Sequence, residues 1–196
     1  MVTTPHTILL KGTGIGKEGV ANAAITPGML VERMTTGKIR KHSTAGGPAM
    51  PAFARENELI GKEIDVDYAA NDRVYWTVMP PGSEIYALVA ASAVAIAVGD
   101  FLESAGDGTL RLVTVGDTAD LTMGTNITAA TANGSLEDSA ATNPSDTNFN
   151  NNMKEIATKI NAMLPDSNQR AVAVALEAVD NSANASSTAR IKVEVL

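Results

Sequence analysis

The chain contains no cysteine, so disulfides and thiolate metal sites are excluded, and any rigidity must come from packing or assembly. Aromatic residues are scarce, at 4% of the chain. Small side chains suit thin β layers better than a deep pocket lined with rings. The only histidines are His6 and His42; neither has a companion at ligand spacing, so no histidine metal site is assigned. No apolar run approaches the roughly 20 residues needed to span a bilayer, and the longest candidate, Ile85 to Val98, is alanine-rich and interrupted by Ser92. The N-terminus lacks the basic start and long apolar core of a secretory signal. These absences predict a soluble protein made in a cytosol, without membrane association.

Basic charge is also in deficit. The 15 Lys and Arg against 22 Asp and Glu leave a net charge of −7, which argues against direct nucleic-acid binding because phosphate contacts need clustered cations. The deficit is uneven: residues 1–64 hold eight basic and five acidic side chains, whereas residues 65–196 hold seven and seventeen. A mildly basic first third suits an acidic partner surface, or is simply a solvated mixture of charges.

What the chain has is strand pattern. The stretch from Pro80 to Val115 consists of short apolar runs cut by Pro-Pro-Gly, Val-Gly-Asp and Ala-Gly-Asp-Gly, which predicts a meander of buried strands joined by tight turns, with Gly82, Gly99, Gly106 and Gly108 at positive φ. Before it, Thr7, Ile8, Leu9 and Leu10 form an extended segment in residues 1–12 that either closes a sheet at home or adds to a neighbour's edge. Residues 25–43 predict a hairpin turning at Thr35-Thr36-Gly37, with Lys38, Arg40, Lys41 and His42 on the return strand. Those cations are either a contact patch for an acidic partner or a charged edge that discourages unwanted pairing. Phe53 and residues 61–70 predict further strands, and Arg73 to Met79 is the most β-favouring run in the chain. At the end, 171–179 and 189–196 predict a strand pair closing the sheet, with Ile191, Val193 and Val195 buried and Arg190, Lys192 and Glu194 wet.

Between these blocks the composition changes. Residues 116–169 are rich in Asp, Thr, Ala, Asn, Ser and Gly, as expected of an insertion. Inside it, Phe149, Met153, Ile156 and Ile160 recur at spacings of three and four and continue to Met163 and Leu164. This predicts an amphipathic helix stopped by Pro165, lying on its own barrel or on a neighbouring subunit. The chain is thus mainly β, with a terminal arm at 1–12, a β domain at 13–115 and 170–196, and a loop-plus-helix insertion at 116–169.

Chemistry is not evident in this pattern. Gly14-x-Gly16-x-x-Gly19 matches a dinucleotide fingerprint, but Thr26-Pro27-Gly28 follows within two turns, too soon for the helix that must face a pyrophosphate. Glu18 stands where a phosphate loop needs Ser or Thr. The tract therefore reads as a flexible, solvent-facing loop. Asp65, Asp67 and Asp72 lack the glycine and terminal glutamate of an EF-hand loop. No nucleophile–base pair can be named, so no catalytic residue and no cofactor is assigned, and we expect a non-enzyme.

Several segments in order do resemble a known family. Ile25-Thr26-Pro27-Gly28-Met29-Leu30-Val31-Glu32 is followed by Thr36-Gly37-Lys38-Ile39-Arg40. The Gly82 turn then leads into Ala87-Leu88-Val89-Ala90, and Val98-Gly99-Asp100-Phe101-Leu102 comes before Gly108. The chain closes with Ala175-Leu176-Glu177-Ala178-Val179-Asp180 and Ile191-Lys192-Val193-Glu194. Together they resemble the capsid decoration, or cement, proteins of tailed bacteriophages, over residues 5–115 and 170–196. The resemblance implies a compact β-barrel or β-tulip domain on the outside of an assembled head, commonly a trimer, bridging neighbouring major capsid proteins of the same phage. Residues 1–12 and the helix at about 147–164 are then expected to make the inter-subunit contacts. Two other classes share the composition: a head-fibre or tail-tube protein, which would assemble alone, and a glycan- or receptor-binding module, which would need exposed aromatics.

Overall fold

The computed structural model describes residues 5–91, 93–113, 170–183 and 187–196. The chain divides into one unit of Met1–Val113 with Asn168–Leu196 and another of Thr114–Ser167. Only the first is described below. The predicted insertion helix, with Phe149, Met153, Ile156 and Ile160, lies outside the described residues.

The described residues are mainly β. The strands are β1 (Leu9–Lys11), β2 (Ile15–Val20), β3 (Val31–Arg33), β4 (Ile39–Lys41), β5 (Ala52–Ala54), β6 (Arg73–Val78), β7 (Glu84–Val89), β8 (Phe101–Ser104), β9 (Leu110–Leu112), β10 (Ala173–Ala175) and β11 (Ala189–Val195), with one 3-10 turn at Glu58–Ile60.

Five strands close a barrel in the order β7-β11-β10-β8-β9, and the parallel bridge Val89↔Leu110 joins the last to the first. The β7–β11 pair has the longest register, from Ala189↔Val89 to Glu194↔Glu84. Alternation sends Ile85, Ala87 and Val89 of β7 and Ile191, Val193 and Val195 of β11 inward, since successive side chains leave opposite faces. Five strands enclose little space, and β10 accordingly supplies two alanines, Ala173 and Ala175, to an interior otherwise filled by Leu102, Leu110, Ile96 and Val172. Each large aliphatic side chain buried here contributes about 1.5–3 kcal/mol.

A second core sits under the three-stranded sheet β2-β6-β5. Trp76, Val74, Ala52 and Ala54 from that sheet pack with Tyr68 and with Val31 and Ile39 of the β3–β4 hairpin. The hairpin turns as its sequence predicts: Gly37 takes φ +82°, and its amide donates to the Met34 carbonyl at 2.9 Å. Gly82, Gly99, Gly106 and Gly108 all have positive φ, also as predicted.

Three expectations are corrected. The stretch 80–115 is not a simple meander: β11 and β10 stand between β7 and β8, and only β8 and β9 form a hairpin. The Gly14–Gly19 tract is not a loop, because Ile15–Val20 pairs with β6 along its whole length. Two of its glycines serve close approach: a Cβ at Gly14 would lie 2.2 Å from Thr77 Cγ2, and one at Gly19 would lie 2.4 Å from Ile39 Cγ1, whereas Gly16 faces open space. Residues 61–70 form no strand; Tyr68 alone bridges to Ile25, and Val66 is exposed although the pattern would bury it.

For residues 5–12 the structure takes the first of the two expected arrangements. From Leu9 to Lys11 the segment is a strand paired with β7, and Ile8 is wholly buried. The segment closes the sheet at home, and the Ile8 side chain is a core residue with no surface to offer a partner.

Gly28 joins the two cores. Its carbonyl accepts the Leu88 amide of β7 at 3.2 Å, and its amide donates to the Ala54 carbonyl of β5 at 2.8 Å. With φ +91° and a virtual Cβ 3.0 Å from the Tyr86 carbonyl oxygen, the position has no room for a side chain. Gly28→Ala is expected to lower stability by about 1–3 kcal/mol, and Leu102→Ala, at a fully buried barrel position, by about 2–5 kcal/mol. Urea denaturation of both variants checks this; a Gly28→Ala midpoint equal to wild type would contradict the strain.

Candidate functional site

Three surfaces among the described residues carry charge or exposed apolar side chains. The first is the hairpin. Glu32 of β3 gathers its neighbours: Arg40 Nε donates to its Oε1 at 2.7 Å, the Ser43 hydroxyl donates at 2.8 Å, and His42 Nε2 lies 3.8 Å from Oε2. Partial burial pushes the Glu32 carboxyl up, but the Ser43 hydrogen bond and the nearby His42 and Arg40 outweigh it and hold it below the ordinary glutamate value. Arg40 is therefore committed within its own hairpin. Lys38 Nζ donates to Asn71 Oδ1 at 2.9 Å. His42 is buried, with Nδ1 2.7 Å from the Ser104 hydroxyl, so it leaves the predicted surface patch. Lys41 is exposed and has no ion-pair partner among the described residues.

The second surface surrounds Trp76, the only tryptophan. Lys17 Nζ lies 5.3 Å from the indole centroid and Arg33 Cζ lies 6.0 Å from it. Cations in this position are drawn to the ring's negative face. Neither residue was marked by the sequence pattern, since Lys17 sits in the glycine tract and Arg33 on a separate sheet. The signal was present only as two unpaired cations and a lone tryptophan, with no spacing to connect them.

The third is an open groove of about 380 Å³, lined by β2 and β6 residues and by Arg55–Leu59. Several of its charged groups are paired. Arg55 Nη2 lies 2.9 Å from Glu58 Oε1 and 3.5 Å from Glu56 Oε1, and Arg73 Nη1 lies 3.2 Å from Glu18 Oε2. Both Glu56 oxygens are occupied, Oε1 by the Thr7 hydroxyl and Oε2 by the Ile8 amide. Beside the groove, Leu59 and Ile60 are exposed, as is Ile15 at the start of β2.

The predicted contact residues thus separate. Thr7 and Ile8 are tied to Glu56, Leu9 packs partly against the barrel core, and Leu10 is half-buried. Lys38 and Lys41 retain outward positive charge. Among the described residues no group of three or more His, Asp or Glu side chains is placed to hold a metal ion.

No protein-family model matches this chain, and no curated protein sequence matches it.

Removing Lys17 or Arg33 is expected to cost about 0.5–1 kcal/mol each, the range for exposed cation–π contacts. It should also change the intrinsic fluorescence of Trp76. Lys17→Ala and Arg33→Ala with emission spectra identical to wild type would show that the cations leave the ring in solution.

Proposed function

We propose that this chain is a structural virion protein that binds the outer surface of an assembled phage head and cements adjacent major capsid proteins. The observation that supports the reading is that most of the segments resembling decoration proteins lie in the barrel or bond to it, while the 36–40 run lies in the neighbouring hairpin. The 25–32 run supplies Gly28, which bonds to both β7 and β5. The 98–102 run enters β8, the 175–180 run leaves β10, and 191–194 is the centre of β11. The barrel is packed with side chains, which leaves recognition to its outer surface.

The mechanism is linkage. A subunit that binds the assembled shell better than the free capsid protein stabilises the shell by that difference, and many modest contacts around one head add through avidity. Lys38 and Lys41 are the cations available for an acidic capsid surface; Lys41 is spatially next to Gly108, whose virtual Cβ lies 2.7 Å from Lys41 Cβ. On this reading the protein acts as a homo-oligomer, with a trimer favoured, and catalyses no reaction.

The test is addition of the purified protein to heads that lack it, with occupancy measured by sedimentation and cryo-electron microscopy. Saturable binding at fixed surface positions and increased resistance to osmotic rupture are expected. The double variant Lys38→Glu, Lys41→Glu should weaken binding about tenfold, equivalent to about 1.4 kcal/mol. Absence of the protein from purified virions, or its assembly into rings or tubes without heads, would overturn the reading.

A further inference from the structure

Glu56 is a buried carboxylate, 5% exposed, and besides Arg55 and Glu58 on its own loop it contacts the N-terminal segment. Its Oε1 accepts the Thr7 hydroxyl, and its Oε2 accepts the Ile8 amide at 3.1 Å. Thr7 and Ile8 lead directly into β1. The Ile8 carbonyl, in turn, accepts the Tyr86 amide of β7 at 2.8 Å. One side of the segment is thus held by a charge, and its other side covers the outer edge of a barrel strand. Little else in the backbone holds it: β1 pairs with β7 only at Leu9↔Ile85 and Lys11↔Glu84, with an irregularity between them.

We propose that Glu56 is a carboxylate latch that keeps the N-terminal strand docked on β7, and that loss of its charge in acid releases this strand before the barrel opens. A protonated carboxyl loses the charge that strengthens both hydrogen bonds, and the oxygen that carries the proton becomes a donor, so the hold on Thr7 and Ile8 weakens. The freed edge would present the Tyr86 amide, the kind of unpaired strand edge that another extended chain can occupy.

The ionisable groups around Glu56 set the window. They are Arg55 and Glu58 on its own loop, Tyr68 and Tyr75 from the elements packed beside it, and His6, one residue before Thr7. Burial pushes the Glu56 carboxyl up, but hydrogen bonds from Thr7, its own amide, Glu58 and Ile8 leave it below the ordinary value. Glu58 moves the other way, raised by its hydrogen bond to Glu56 and by burial despite Arg55. Glu58 therefore takes up its proton first. A carboxylate with a lowered folded-state pKa stabilises at pH above its unfolded value and loses that contribution as pH falls through the folded one. Release is expected below about pH 4, the ordinary glutamate range.

Amide hydrogen exchange, expressed as protection factors, tests this on the full chain. Between pH 6 and 3.5, protection at Ile8 and Tyr86 is expected to fall at least tenfold. Protection at Val172 and Ala175, whose amides bond within the barrel at 2.8 and 2.9 Å, should hold. Glu56→Gln should show the low Ile8 and Tyr86 protection already at pH 6. If that variant does not fold, Thr7→Ala, which removes one donor to the carboxylate, should raise the pH at which protection is lost. Equal loss at all four amides, no loss at Ile8 and Tyr86, or an unshifted midpoint in Thr7→Ala would each overturn the latch.

Discussion

The outer edge of β7 is the constraint on which the rest of the fold depends. One edge of β7 is taken by β11 along its full length. The other is shared by three segments far apart in the chain: Tyr86 donates to Ile8, Leu88 to Gly28, and Ala90 to Leu110. A buried strand cannot leave its amides unpaired without losing roughly 1–3 kcal/mol for each. Satisfying this one edge therefore fixes where the N-terminal strand, the loop before the hairpin and the last barrel strand must lie. The charge pattern follows from the same register. Glu194 stands opposite Glu84, an unfavourable pairing, and Lys11 of β1 reaches Glu84 at 2.7 Å to offset it.

Polar groups inside the fold tie its irregular parts to this frame. Asn181 Nδ2 donates to the Ala90 carbonyl at 2.8 Å and to the Ser187 carbonyl at 3.0 Å, so the connection from β10 to β11 is anchored at the end of β7. Arg190 Nη2 donates to the Ile64 and Pro27 carbonyls at 2.6 and 3.1 Å, and Nη1 pairs with Asp65. The stretch 61–70 lacks a ladder of its own and is held in this way instead. Buried hydrogen-bonded groups of this kind are costly to disturb, because a lost partner leaves an unsatisfied donor or acceptor.

Local chemistry was legible in the sequence and long-range pairing was not. The alternation of Ile191, Val193 and Val195 against Lys192 and Glu194, the Thr35–Gly37 turn and the four positive-φ glycines are each decided within a few residues. The insertion of β11 and β10 between β7 and β8 depends on pairings between residues as far apart as Glu84 and Glu194 or Leu102 and Ala173, and the closing bridge from Val89 to Leu110 is a single contact. The glycine tract misled for a physical reason. Glycine is required both where backbone must turn and where two backbones or a side chain approach closely, and Gly14 and Gly19 belong to the second case. Glu56 was invisible for another: its partners, Thr7 and Ile8, lie 49 and 48 residues away.

The same arrangement narrows what the fold can do. The interior of the five-stranded barrel is filled with apolar side chains, and in the groove beside β2 the carboxylates are paired with Arg55 and Arg73 or with the N-terminal segment. What remains is surface, divided between exposed apolar residues, such as Phe101, Val98 and Leu59, and outward lysines on the hairpin. Apolar side chains left outside a well-filled core are unexplained by folding alone when they gather, and association is the usual way of burying them. Val98 and Phe101 flank the Gly99 turn, where the Gly99 amide donates to the Ala175 carbonyl at 2.8 Å. They are thus displayed beside a backbone hydrogen bond that ties the turn to β10.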